Sequence, residues 1–169
     1  MVIIMKNKLH IAGVCYESIA DADGVATTIF FSGCEHHCKG CHSQQTWDFN
    51  YGKEVTDELI EEIRNEITKR PFVKTIVLSG GDPFYSATGV LEFLDKLNLP
   101  DYTIWVYTGW QIDYLINCTD DKKKLLDRCD YIVDGPFEID KRDITLRFRG
   151  SSNQHIYRKD TTGNWNKIE

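Results

Sequence analysis

The chain has 169 residues, 41% of them hydrophobic and 27% charged, with a net charge of −6 at neutral pH. That length suits one core and therefore one domain over 1–169, the composition is that of a globular protein, and the acidic balance argues against the basic footprint of a nucleic-acid binder. The apolar run in Met1-Val2-Ile3-Ile4-Met5-Lys6 is too short for a signal peptide or a membrane span, so a cytoplasmic location without a membrane partner is expected.

In chain order, Ala26-Thr27-Thr28-Ile29-Phe30-Phe31 is β-branched and aromatic and predicts a strand running into a cysteine-bearing loop over 33–47. A helix is predicted over Thr56 to Arg70, capped by Thr56, with Asp57 and Glu58 in its first turn and an apolar stripe of Leu59, Ile60, Ile63 and Ile67. Thr75–Leu78 predicts a buried strand, 88–97 a second helix, and Thr103–Tyr107 a further strand. Short helices are expected at Ile112–Ile116 and Lys122–Arg128, the latter starting on solvated lysines, before a strand at Tyr131–Val133. Alternation of strand and helix predicts an α/β fold with a mainly parallel sheet.

Each strand ends in a polar or glycine-rich turn: the cysteine loop, Ser79-Gly80-Gly81-Asp82-Pro83, Thr108-Gly109 and Asp134-Gly135. Sites in parallel α/β sheets sit at the carboxyl ends of strands, so these turns are expected on one rim. A closed eight-unit barrel usually needs about 250 residues, which leaves a partial, open (β/α) barrel whose open side admits a large substrate. Gly80-Gly81 lets backbone approach a ligand, with strand-end carbonyls and Asp82 suited to an ammonium group. Asp134 either touches a ligand or caps a turn. Neither a phosphate-binding P-loop nor a dinucleotide fingerprint is present.

Cys34, Cys38 and Cys41 form C-x3-C-x2-C. Three thiolates on a [4Fe–4S] cluster leave one iron open, where four would close it. A zinc site completed by His36, His37 or His42 is the alternative. Three crowded cysteines in a chain of this kind do not suit a disulfide framework. Cys15, Cys118 and Cys129 lie outside the spacing and read as small buried hydrophobes, and Trp47, Trp105 and Trp110 as packing residues.

The cysteine spacing resembles that of radical S-adenosylmethionine (SAM) enzymes. The wider chain resembles the activating proteins of anaerobic (class III) ribonucleoside-triphosphate reductases. The likeness runs through Ser32-Gly33-Cys34, Cys38, Gly40-Cys41-His42, Thr46-Trp47-Asp48, Leu78–Pro83, Ile104–Gly109 and Val133–Phe137, and most specifically through Arg147-Phe148-Arg149-Gly150-Ser151-Ser152-Asn153-Gln154. The resemblance implies that Cys34, Cys38 and Cys41 hold the cluster and that SAM takes the open iron. It further implies that Gly40, Cys41 and His42 line the adenosyl end and that Ser79, Gly80, Gly81 and Asp82 bind the methionine amino group. An external one-electron donor, such as a flavodoxin, would drive cleavage of SAM to a 5′-deoxyadenosyl radical, and the reductase chain would be the protein substrate that receives a glycyl radical.

The chain departs from its relatives at Ser43, where Asn is frequent, and at Ala26, where many glycyl-radical activases carry Arg. Arg147 and Arg149, alternating around Phe148 as on a half-buried strand, suit either a carboxylate of SAM or the partner, or a solvent-facing ladder. The C-terminal segment 144–169 is expected to pack on or extend the barrel. A radical SAM enzyme acting on a small molecule, such as a deazapurine-forming synthase, and a non-catalytic zinc module are the competing functions.

Overall fold

The computed structural model describes residues 8–169, so the expectation for Met1–Lys6 lies outside the described residues. Eight strands form one sheet in the order β3-β1-β2-β4-β5-β6-β7-β8. They are β1 His10–Ser18, β2 Ala26–Phe31, β3 Lys53–Glu54, β4 Thr75–Gly80, β5 Thr103–Tyr107, β6 Tyr131–Asp134, β7 His155–Lys159 and β8 Trp165–Lys167. The helices are α1 Asp57–Thr68, α2 Ala87–Leu97, α3 Ile112–Ile116 and α4 Asp121–Arg128.

The mainly parallel sheet expected from the alternation of elements is corrected to a mixed one. β2 with β4, β4 with β5 and β5 with β6 are parallel, whereas the four flanking pairings are antiparallel. The reason is in the connections. Parallel neighbours need a long crossover, and α1, α2 and the α3–α4 pair supply the three available. β1 and β2 are joined by a short loop, and β7 and β8 by a tight turn, which permit only antiparallel return.

The residues of each central strand divide between two faces, as a period of two demands. Ile76, Leu78, Ile104, Val106 and Ile132 join the larger core under the helices, with Ile63, Phe93, Leu97 and Leu125. Val77, Trp105 and Val133 point the other way and pack with Ala22, Ala26 and Ile156. Helix α1 forms where its caps direct it: the Thr56 hydroxyl accepts from Leu59 N at 3.2 Å, and Ile60, Ile63 and Ile67 are buried on one face. Helix α2 stops at Asn98, whose left-handed conformation (φ 49°) lets its amide reach Leu94 O. None of the described helices is long and apolar enough to cross a membrane.

Residues 144–150 hold no strand; Phe148 sits at φ +57° and packs edge-on against Trp105. Of the arginines beside it, Arg147 is exposed and Arg149 is largely buried. Arg147 bonds Asp23, and Arg149 bonds Gln154 O at 3.3 Å and Glu169 at 3.3 Å. Of the cysteines expected to be buried, Cys129 is, Cys118 is half-buried and Cys15 is exposed, because β1 turns its side toward solvent there. The lysines that open α4 pair at the surface with Asp120, Asp127 and Asp121.

Candidate functional site

The three central parallel strands and β2 deliver four turns to one rim, and the backbone welds them together. Gly33 N donates to Thr46 O at 2.7 Å and Cys34 N to Trp47 O at 3.3 Å, which folds the cysteine loop back on the 3₁₀ turn at Gln44–Trp47. Asp82 N donates to Gly33 O at 2.9 Å and Gly81 N to Phe31 O at 2.7 Å, joining that loop to the turn after β4. Gly81 is required by this approach: a Cβ there would stand 2.6 Å from Gly33 O and 2.8 Å from Thr46 O. The glycines after β4 therefore serve the packing of the cysteine loop as well as lining the site.

A cavity of about 150 Å³ opens at this rim. Cys34, Cys38 and Cys41 line it together with Ser79, Gly80, Gly81 and Asp82, and with His36, Trp47, Tyr107, Thr108, Gly109, Gly135, Phe137 and Gln154. Burial pushes the Cys34 thiol up to about 12 and also raises Cys38, while the amides of His36 and His37 directed at the Cys34 sulfur and that of Phe137 directed at Cys38 pull the other way. Thiols held neutral by burial become thiolates when a cation takes the proton's place.

Among the described residues, no three His, Cys, Asp or Glu side chains converge on a point that one metal ion could occupy. The three thiols line a shared cavity, an arrangement that suits a cluster taking one thiolate on each of three irons. The three histidines weighed as a fourth zinc ligand differ in their surroundings. His36 bonds Asp82 at 2.8 Å, His37 stacks on Trp47 at 4.4 Å, and His42 lies against Phe137. The donor set fits an iron–sulfur cluster with three protein ligands.

Residues 20–157 match the 4Fe-4S single cluster domain family. The chain is 36% identical over 148 residues to the anaerobic ribonucleoside-triphosphate reductase-activating protein of Vibrio cholerae, covering 83% of this chain and 92% of that protein. The protein of the same name from Haemophilus influenzae is 34% identical, again over 83% and 92%, and that of Enterobacteria phage T4 is 28% identical over 84% and 88%. The chain belongs to the family of anaerobic ribonucleoside-triphosphate reductase-activating proteins.

Of the residues the activating-protein resemblance singled out, the structure brings Cys34, Cys38, Cys41, Ser79, Gly80, Gly81 and Asp82 to one cavity. Gly40 and His42 lie outside its lining: Gly40 packs against Ile139, and His42 is exposed. Asp134 does not line this cavity. Its buried carboxylate accepts from Ile112 N at 2.9 Å, opening α3, and from His155 N at 3.3 Å. Asp82 lines the cavity, but its oxygens accept from His36, Thr108 Oγ1 (2.8 Å), Gly109 N (2.9 Å) and Phe84 N (3.0 Å). One carboxylate thereby ties the cysteine loop to the turns after β4 and β5.

Sequence reasoning passed over His36, Phe137 and Gln154 as lining residues of the activating-protein site. Gln154 carried a signal in the specific Ser-Ser-Asn-Gln run. Its Oε1 accepts from Gly150 N and Ser151 N at 2.9 and 3.1 Å, and its Nε2 donates to Gly135 O at 2.9 Å, tying the C-terminal segment to the turn after β6.

Proposed function

We propose that this protein is a radical SAM activating enzyme, an oxidoreductase that generates a glycyl radical on an anaerobic ribonucleoside-triphosphate reductase. The observation that carries the reading is the meeting of three thiols and the Ser79–Asp82 turn in one cavity at the carboxyl ends of the parallel strands. Family membership supports it, because the relatives are named for activating that reductase.

In this reading Cys34, Cys38 and Cys41 would hold a [4Fe–4S] cluster, and SAM would bind beside it with its methionine amino group at Ser79, Gly80, Gly81 and Asp82. Bound together, the two supply one-electron cleavage of SAM to methionine and a 5′-deoxyadenosyl radical, which takes a hydrogen atom from a glycine Cα of the reductase. The protein's own part is orientation and exclusion of water. Gly81 keeps the cysteine loop and the β4 turn at fixed spacing, Trp47 and Phe137 wall the cavity, and Gln154 fixes the turn after β6. Residues 1–169 act as one radical SAM domain, a partial open (β/α) barrel with 144–169 packing on or extending it. The setting is the cytoplasm, and an external donor such as a flavodoxin supplies the electron.

Anaerobic loading with iron and sulfide tests the reading. About four of each per chain, with reductant-dependent release of 5′-deoxyadenosine from SAM, is the expected result. One equivalent of zinc in a colourless protein that leaves SAM intact would overturn it.

A further inference from the structure

We propose that His36 is a positioning residue that, through Asp82, locks the stretch of chain between Cys34 and Cys38 onto the turns after β4 and β5. The inference rests on the reading of Cys34, Cys38 and Cys41 as cluster ligands and of the adjoining turns as the SAM site.

His36 lies midway between two of the three thiols in the chain. Its Nε2 donates to Asp82 Oδ2 at 2.8 Å, and both side chains are largely shielded from solvent, at 15% and 1% exposure. Asp82 also accepts from Thr108 Oγ1, Gly109 N and Phe84 N, so four groups donate to this one carboxyl group. One carboxylate thus gathers the cysteine loop and two strand-end turns. Removing His36 leaves a buried anion with one donor fewer, which is costly where water cannot replace it.

The ring is also held laterally. Tyr85 and Trp110 meet it edge-on, each with centroids 5.0 Å away. Gly109 makes the space: a Cβ there would stand 2.5 Å from His36 Cδ2 and 2.7 Å from Nε2. With the ring fixed, the His36 backbone, two residues from both Cys34 and Cys38, is held in place. A loose His36 would therefore disturb both the cluster and the distance from the cluster to the β4 turn.

The test compares the parent with His36→Phe, His36→Gln and Gly109→Ala, each loaded anaerobically with iron and sulfide. Phe keeps an aromatic ring between Tyr85 and Trp110 without the donor, Gln keeps an N–H donor without the ring, and Gly109→Ala displaces an unaltered His36. The readouts are the SAM dissociation constant and the electron paramagnetic resonance (EPR) line shape of the reduced cluster with and without SAM. His36→Phe and Gly109→Ala are expected to weaken SAM binding about 10-fold or more and to change the SAM-induced line shape, with His36→Gln recovering most of both. Parent-like values in His36→Phe, or equal loss in His36→Phe and His36→Gln, would overturn the role of the Asp82 bond. A parent that neither assembles a cluster nor binds SAM would instead overturn the functional reading itself, and this inference with it.

Discussion

Gly81 and Gly33 meet backbone to backbone: a Cβ on Gly81 would lie 2.6 Å from the Gly33 carbonyl oxygen. Two turns distant in sequence share this contact, one carrying the thiols and the other the strand-end carbonyls. Their spacing is set by the absence of a side chain and cannot relax by rotating one. Gly81→Ala must therefore push the turns apart, at a cost of about 1–3 kcal/mol by analogy with overpacked cores. Thermal unfolding of the cluster-free protein should show a midpoint lower by roughly 2–10 °C, and SAM cleavage by the loaded protein should fall sharply.

A second substitution separates stability from the site. Thr56 caps α1 far from the cavity, its hydroxyl accepting from Leu59 N at 3.2 Å. Thr56→Ala should cost about 1 kcal/mol and lower the melting midpoint by roughly 2–4 °C. Iron content and SAM affinity should match the parent, and a change in either would indicate that α1 communicates with the rim.

The cysteines sort into two groups by position. Cys34, Cys38 and Cys41 line one cavity, while Cys15, Cys118 and Cys129 do not. Cys38→Ala is expected to lose the cluster and SAM cleavage together, with the fold retained by circular dichroism. Cys15→Ser and Cys118→Ser are expected to bind iron and sulfide as the parent does. Retention of both cluster and cleavage in Cys38→Ala would refute the ligand assignment.

Acid sensitivity has a local source in the β7–β8 hairpin. Asp160 accepts from Thr162 Oγ1 at 2.6 Å, Asn164 N at 3.0 Å and Asn166 Nδ2 at 3.1 Å, and these bonds, Thr162's first, hold its carboxyl down to about 2. The folded value lies below the unfolded one, which is about 3.9. The unfolded chain thus binds more protons in this range, and stability rises with pH across it. The contribution is complete above about pH 4 and is lost as pH falls toward about 2. Replacing Asp160 with Asn should flatten the parent's loss of hairpin order in that window, followed by fluorescence of Trp165. An unchanged acid transition would show that another carboxylate governs it.

Much of the fold was legible because its elements carry local signals. The helix at Asp57–Thr68 follows from Thr56, its acidic first turn and the spacing of Ile60, Ile63 and Ile67, all of which act within the helix. The antiparallel flanks were not legible. β1 lacks clean alternation, with partly exposed positions on both faces, and β7 and β8 are short and polar. Their pairing is decided by the sheet edges they meet, a non-local property.

The candidate site divides in the same way. The cysteines and the Ser79–Asp82 turn announced themselves by spacing and by glycine. The partnership of His36 with Asp82 spans 46 residues of sequence, and only the fold brings the two together. Asp134, which the sequence leaves as either a ligand contact or a turn cap, accepts from Ile112 N across 22 residues, a partner that only the fold supplies.

The most direct test of the central claim is low-temperature EPR on an anaerobic mixture of the cluster-loaded protein, SAM, a one-electron reductant and the anaerobic reductase chain of the same host. The account predicts a glycine-centred doublet on the reductase that is absent when SAM is omitted. A reduced-cluster signal perturbed by SAM, with no radical on the reductase, would contradict it.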